Sequence, residues 1–212
     1  MTAPPWLWLI AGPNGSGKTS LARGPHLRLW APGIPAVAQT PDEIALRLRA
    51  ERPEATEAER VREAQIRSDR LLDEAIAAGR TAFVETVLSS GKFRDRVERA
   101  LAGGYRFGLV YVSVLDGVLN LARVEQRVAA GGHDVPPELV LARRERSAAE
   151  FAWFAARAHR GLLVDNTGTD TAMDPAPVLV AEKREGDAGW VVHRPGLLPG
   201  LEARLPAMAE PR

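Results

Sequence analysis

The sequence contains no cysteine, which excludes disulfides, thiolate metal sites and a cysteine nucleophile, and leaves the redox compartment unread. Long hydrophobic runs are also missing. No apolar stretch approaches the roughly 20 residues that cross a bilayer, and the N-terminus has neither the basic flank nor the apolar core of a signal peptide. A cytoplasmic protein without a membrane partner is expected. There is no excess of one charge: 28 basic and 27 acidic residues leave a formal charge of +1. Such a chain has no field to hold a phosphodiester backbone, so nucleic acid is not expected as a partner. Lysine is scarce, occurring only at Lys18, Lys92 and Lys183 in a chain that otherwise uses arginine, which makes Lys18 conspicuous.

What is present suits one soluble domain with a sizeable core: 212 residues, 45% hydrophobic and 26% charged. Trp6 to Ala11 is a short apolar run that ends at Gly12-Pro13 and reads as a buried first strand. A helix follows from Lys18 to Arg23. Gly24 to Ala38, interrupted by Pro25, Pro32, Gly33 and Pro35, reads as loop with at most a short strand at its end. Thr40-Pro41 opens another helix, with Thr40 as cap. Thr56 to Ala78 is a long amphipathic helix, its inward stripe formed by Val61, Ala64, Ser68, Leu71, Leu72 and Ala75.

Thr81 to Val87 and Phe107 to Leu115 read as core strands, with a helix from Phe93 to Ala102 between them. Two helices, Val118 to Ala130 and Pro137 to His159, precede a strand at Leu162 to Val164 that ends at Asp165-Asn166. The alternation predicts an α/β fold, a right-handed, mostly parallel sheet with helices on both faces. Val178 to Val192 reads as a C-terminal β-hairpin around Glu185-Gly186-Asp187. Residues 1–194 form the expected single domain and 195–212 a proline-rich tail.

The chemistry centres on Gly12-Pro13-Asn14-Gly15-Ser16-Gly17-Lys18-Thr19, which fits the phosphate-binding pattern of glycine, four residues, glycine, lysine, then serine or threonine. It follows a strand and opens a helix, the context that the pattern requires. Backbone N–H groups cradle phosphate oxygens, and the helix start adds its positive end. Lys18 reaches the β- and γ-phosphates, Thr19 offers its hydroxyl to Mg²⁺, and Ser20 continues the ATP-binding turn.

Two carboxylates supply candidates for the acceptor side. Asp42 opens the helix after Thr40, where a carboxylate is also favoured by the dipole alone. Glu85 interrupts Ala82-Phe83-Val84 and needs a partner there, such as a ligand hydroxyl or a metal-bound water. Arginines form the third group. Asn120, Arg123 and Arg127 share a helix face that is either solvated or turned to phosphates. Arg144 shares a stripe with Val140, Ser147, Phe151 and Phe154, so it points inward. Gly131 to Pro136 joins two helices and suits a lid, although a helix stop, a cap at Asp134 and a helix opener account for most of it. His133 is then the unexplained residue.

Together these residues resemble the zeta-toxin-type small-molecule kinases. The resemblance runs through Ile10 to Thr19, Pro41-Asp-Glu-Ile44, Phe83-Val-Glu-Thr-Val-Leu-Ser89, Arg127 with Gly131-Gly-His-Asp-Val-Pro136, and Asp165-Asn166, about 160 residues in order. It implies an ATP- and Mg²⁺-dependent phosphotransferase acting on a small-molecule hydroxyl, UDP-N-acetylglucosamine in the best-known toxins, with an antitoxin protein as partner. By this likeness Asp42 is the base. Glu85 and Thr86 bind the acceptor, Arg123 and an arginine at or near Arg144 hold phosphates, and Arg127 and His133 contact the nucleotide. Two departures bear on the acceptor. Val87 stands where relatives carry a threonine two positions past the strand glutamate, and His133 where the better-known toxins carry an arginine.

The competing reading is an ATPase whose hydrolysis drives a partner protein. Leu88-Ser89-Ser90-Gly91-Lys92 loosely follows the signature loop of transporter-type ATPases, and Leu109 to Asp116 resembles a strand ending in their metal-binding aspartate. A regulatory nucleotide-binding protein without turnover is the third. Turnover that depends on protein concentration through dimerisation marks the ATPase, and function unchanged by Asp42→Asn marks the regulatory protein.

Overall fold

In the computed structural model the described residues are 3–35, 40–132, 134–168 and 176–206. His133 and residues 207–212 of the expected tail therefore lie outside them. Strands β1 (Trp6–Ala11), β2 (Ala82–Thr86), β3 (Arg106–Ser113), β4 (Arg160–Asp165), β5 (Val178–Lys183) and β6 (Val191–Val192) form one sheet in the order β2-β1-β3-β4-β5-β6. The first four run parallel, while β5 and β6 pair antiparallel as the C-terminal hairpin.

Helices cover both faces because the strands are apolar on both. On one side Leu7, Leu9, Phe107, Leu109, Tyr111 and Leu163 pack against α5 (Arg94–Ala102) and α7 (Pro137–Arg157). On the other, Trp8, Ile10, Phe83, Val110 and Val112 pack against α1 (Lys18–Arg23) and α2 (Pro25–Trp30). This two-sided burial is what lets a parallel sheet form from near-continuous apolar runs. Helix α2 corrects the reading of Gly24–Ala38 as loop. Pro25 occupies the first helical position, where its missing N–H costs nothing, and Leu27 is buried in the core.

Helices α3 (Pro41–Glu51) and α4 (Glu57–Ala77) form a pair closed by Ile44, Leu48 and Ala64. Each begins with a capping box, Thr40 with Glu43 and Thr56 with Glu59. Of the α4 stripe read from sequence, Ala64, Ser68 and Leu72 are buried, but Leu71 is exposed. The Thr40 hydroxyl accepts from the Glu43 N–H at 3.2 Å, and Glu43 returns a bond from the Thr40 N–H at 3.0 Å. Thr40→Ala is expected to cost about 1 kcal/mol of stability, measured by urea unfolding.

Helix α6 (Gly117–Ala129) starts at Asp116, whose carboxylate caps the Leu119 N–H at 2.9 Å. In the stretch read as a tail, Leu198 and Leu201 are buried against the same core as Trp190, around a short helix α8 (Pro199–Glu202). None of the described helices is long and apolar enough to cross a membrane.

Candidate active site

The C-terminal ends of β1 and β2 open into a cleft of about 900 Å³. Asn14, Gly15, Gly17, Lys18, Thr19 and Ser20 form its floor. Gly12 and Ser16 are buried beneath the loop, and Pro13 turns away into a smaller pocket. The loop's glycines are needed for contact as well as for backbone angle. A Cβ on Gly15 (φ 72°) would lie 2.4 Å from the Asn120 carbonyl oxygen, and one on Gly17 (φ 84°) 2.1 Å from Asn166 Nδ2.

Those two asparagines clamp the loop. Asn120, fully buried on α6, donates from Nδ2 to the Asn14 carbonyl at 2.7 Å, and Asn166, just past β4, donates to the Ser16 carbonyl at 2.9 Å. In the sequence Asn120 shares a face with Arg123 and Arg127, and Asn166 follows Asp165 at the strand end. Their signal was a side-chain amide at the sheet's C-terminal end, where the loop must be held.

Arg144 points inward as expected, but the structure places it away from the cleft where a phosphate would sit. Its Nη1 donates to Asn120 Oδ1 at 2.7 Å, and its Nη2 donates to the Val114 and Leu115 carbonyls at 2.9 Å. The guanidinium is thus spent on orienting Asn120, and it lines the pocket behind the loop instead of the cleft. Arg143, one position earlier and about 100° around the helix, lines the cleft instead. Arg144→Ala is expected to leave kcat nearly unchanged and raise the KM for ATP about tenfold, the worth of one charge-assisted hydrogen bond. Steady-state kinetics over an ATP series checks this.

Arg123 and Arg127 of α6 both face the cleft. Arg123 anchors the segment after β4: its Nη1 donates to the Asn166 carbonyl at 2.8 Å and its Nη2 to that of Gly168. Behind them Val124, Val135 and Val140 make a small apolar cluster that ties α6 to α7.

Lys18 is buried and donates to the Pro13 carbonyl at 2.9 Å. Burial pushes its ammonium below the ordinary 10.5, an effect opposed by the charge of Glu85, aided by Arg127 and opposed again by Asp42. A phosphate against Lys18 favours the charged form, so its pKa rises on nucleotide binding. Between the lowered value and 10.5 the free protein holds fewer protons than the complex. ATP binding at alkaline pH is therefore expected to take up a proton and to weaken as pH rises. Calorimetry in buffers of different ionisation enthalpy reads the uptake, which Lys18→Met abolishes.

Glu85 finds the partner its apolar strand requires: the Thr19 hydroxyl lies 2.9 and 2.8 Å from its two carboxylate oxygens. Thr86 and Val87 follow it into the cleft wall. The strand exit is tightly held. Thr86 Oγ1 accepts from the Leu88 N–H at 3.0 Å, while Leu88, at φ 56°, is the positive-φ non-glycine residue among those described. The Val87 carbonyl accepts from the buried Ser147 hydroxyl at 2.7 Å. Ser147 also meets Tyr111, whose hydroxyl burial pushes up to about 12. Asp42, exposed in the first turn of α3, completes the cleft with Thr40, Pro41 and Val61.

This arrangement defines a P-loop nucleotide-binding domain of α/β type. The chain belongs to the AAA domain family, which matches residues 7–152. A chain of the AvrRxo1-ORF1:AvrRxo1-ORF2 complex, solved with sulphate ions, is similar at a TM-score of 0.64 and 19% identity, over 92% of this chain and 62% of that one. A chain of the PezAT chromosomal toxin-antitoxin system of Streptococcus pneumoniae is similar at 0.56 and 13%, over 84% and 74%. The protein here thus spans about three fifths of the AvrRxo1 chain and shares the fold of zeta-toxin-like P-loop proteins. In sequence, an uncharacterised protein of Haemophilus influenzae is 27% identical over 129 residues, 61% of this chain and 85% of that protein.

Proposed function

We propose that the protein transfers the γ-phosphoryl group of ATP to a hydroxyl of a small molecule. The observation that carries this is the junction of the phosphate loop with β2, where the Thr19 hydroxyl sits on Glu85 beside buried Lys18 and in one cleft with Asp42. The residues fit ATP with Mg²⁺. Gly12, Gly15 and Gly17 hold the positive-φ angles of a phosphate cradle, and the buried Ser16 hydroxyl, a donor, has no partner among the described residues. Thr19 and Glu85 would hold the metal, and no cluster of three or more histidine or acidic side chains competes among those described. When bound, Mg²⁺ offsets charge on the β- and γ-phosphates.

Lys18 then contacts the β- and γ-phosphates, while Arg127 and Arg143 face the oxygens of the transferring group. Asp42 takes the proton of the acceptor hydroxyl as its oxygen bonds to the γ-phosphorus and the bond to ADP breaks. Positioning and charge do most of this catalysis. Features of the ATPase reading serve other ends: Asp116 caps α6, and Lys92 pairs with Asp69 at 2.5 Å.

UDP-N-acetylglucosamine is the acceptor that the zeta-toxin resemblance supplies, and an antitoxin protein is the partner it implies. The PezAT neighbour is itself a toxin-antitoxin system. Mass spectrometry of that sugar nucleotide with ATP, Mg²⁺ and the protein tests the acceptor, beside Asp42→Asn. A product heavier by one phosphoryl group, absent with the variant, supports both roles. Product formation that persists with the variant removes Asp42 as base.

A further inference from the structure

The cleft is charged unevenly from end to end. Its cations are Lys18 on the floor, which feels the charges of Glu85, Arg127 and Asp42, and Arg123, Arg127 and Arg143 on α6 and α7, the helices that follow β3. The opposite wall, built by the start of α3, by α4 and by β2, contributes Thr40, Pro41, Asp42, Val61, Thr86 and Val87. Among the described residues this wall carries no lysine or arginine. Two nearby arginines are engaged elsewhere: Arg23 on Glu43 at 2.6 Å, and Arg60 on Glu57 at 3.1 Å and on the Ala55 carbonyl.

Resting on the kinase reading above, but in place of the UDP-sugar that the resemblance supplies, we propose that the acceptor is a hydroxyl compound without phosphate groups, neutral or cationic, bound against this wall. A phosphate needs N–H donors or cations when it leaves water, and a wall lacking lysine and arginine leaves it uncompensated. Asp42 adds to the bias, because it must stay ionised to accept the hydroxyl proton and so repels an anionic acceptor at close range. Thr40 and Thr86 border the same space and suit a polyol. Their own bonds leave room for more, since each oxygen is engaged in accepting one backbone N–H and keeps its hydroxyl proton for an acceptor oxygen. Val61 and Val87 offer apolar contact to a carbon skeleton. The threonine-to-valine departure at Val87 fits the same wall, with a methyl surface where a relative has a hydroxyl.

The test divides a deproteinised bacterial metabolite extract on an anion exchanger, with nucleoside triphosphates removed from the retained fraction. Each fraction is incubated with the full protein, Mg²⁺ and γ-labelled ATP. The expected result is label transferred to compounds of the unretained fraction, lost with Asp42→Asn, and little transfer to the retained one. Label carried mainly or equally by the retained fraction overturns the proposal while keeping the kinase. No transfer to either fraction, with ATP still bound, overturns the kinase reading on which the proposal rests.

Discussion

Asp42→Asn is expected to bind ATP as the parent does and to lower kcat for phosphoryl transfer by about 10²- to 10⁴-fold, the range of a positioned general base. The structural grounds for a clean result are local. Asparagine matches aspartate in shape, and the cap that starts α3 rests on Thr40 and Glu43, leaving Asp42 out of the helix's own bonding. Stability is therefore expected to hold while the proton acceptor is lost. Removing a negative charge near Lys18 also relieves no bond to the loop, since Lys18 is anchored on the Pro13 carbonyl. Rapid-quench measurement of the chemical step, beside ATP binding by calorimetry, separates the outcomes. A variant with unchanged kcat and a raised KM for the acceptor would show that Asp42 binds the substrate without serving as its base.

The contrast between what was legible in the sequence and what was not follows from the range of the forces involved. Local signals carried far: the span of β1 and the start of α3 at Pro41 match the structure residue for residue, and α4 falls one residue inside each end of the span read from Thr56 to Ala78, because strand ends and helix caps are set by neighbours in the chain. The phosphate loop was visible for the same reason. Helix α2 was hidden by prolines that look like loop, although Pro25 belongs at a helix start and Leu27 supplies the packing. Arg144 shows the limit most clearly. Its helical stripe gave the direction of the side chain, but not that Asn120, 24 positions earlier, would meet it there. The helical period also implies that Arg143 and Arg144 face differently, and that signal could have placed Arg143 in the cleft. The burial of Leu198 and Leu201 was unreadable because it depends on a hydrophobic face assembled from distant strands and α7.

Glu85→Gln is the second large effect, and it separates two roles for this carboxylate. The zeta-toxin resemblance puts Glu85 on the acceptor, whereas its two oxygens both lie within 2.9 Å of the Thr19 hydroxyl, the group that P-loop enzymes offer to Mg²⁺. Glutamine keeps the length and one carbonyl oxygen but removes the charge that a hard divalent cation favours. With a metal role the variant is expected to lose about 10²- to 10³-fold in kcat, as when one preorganised electrostatic contact is removed, and to need more Mg²⁺ for half-maximal rate. The KM for the acceptor is expected to stay near the parent value. A readout independent of turnover is the binding of Mn²⁺ to the protein–nucleotide complex, followed by electron paramagnetic resonance, which should weaken in Glu85→Gln. Thr19→Val removes the hydroxyl at the same junction and should shift Mg²⁺ dependence in the same direction. If Glu85→Gln instead raises the acceptor KM and leaves Mn²⁺ binding intact, Glu85 faces the acceptor during turnover and its contact with Thr19 gives way when substrates enter.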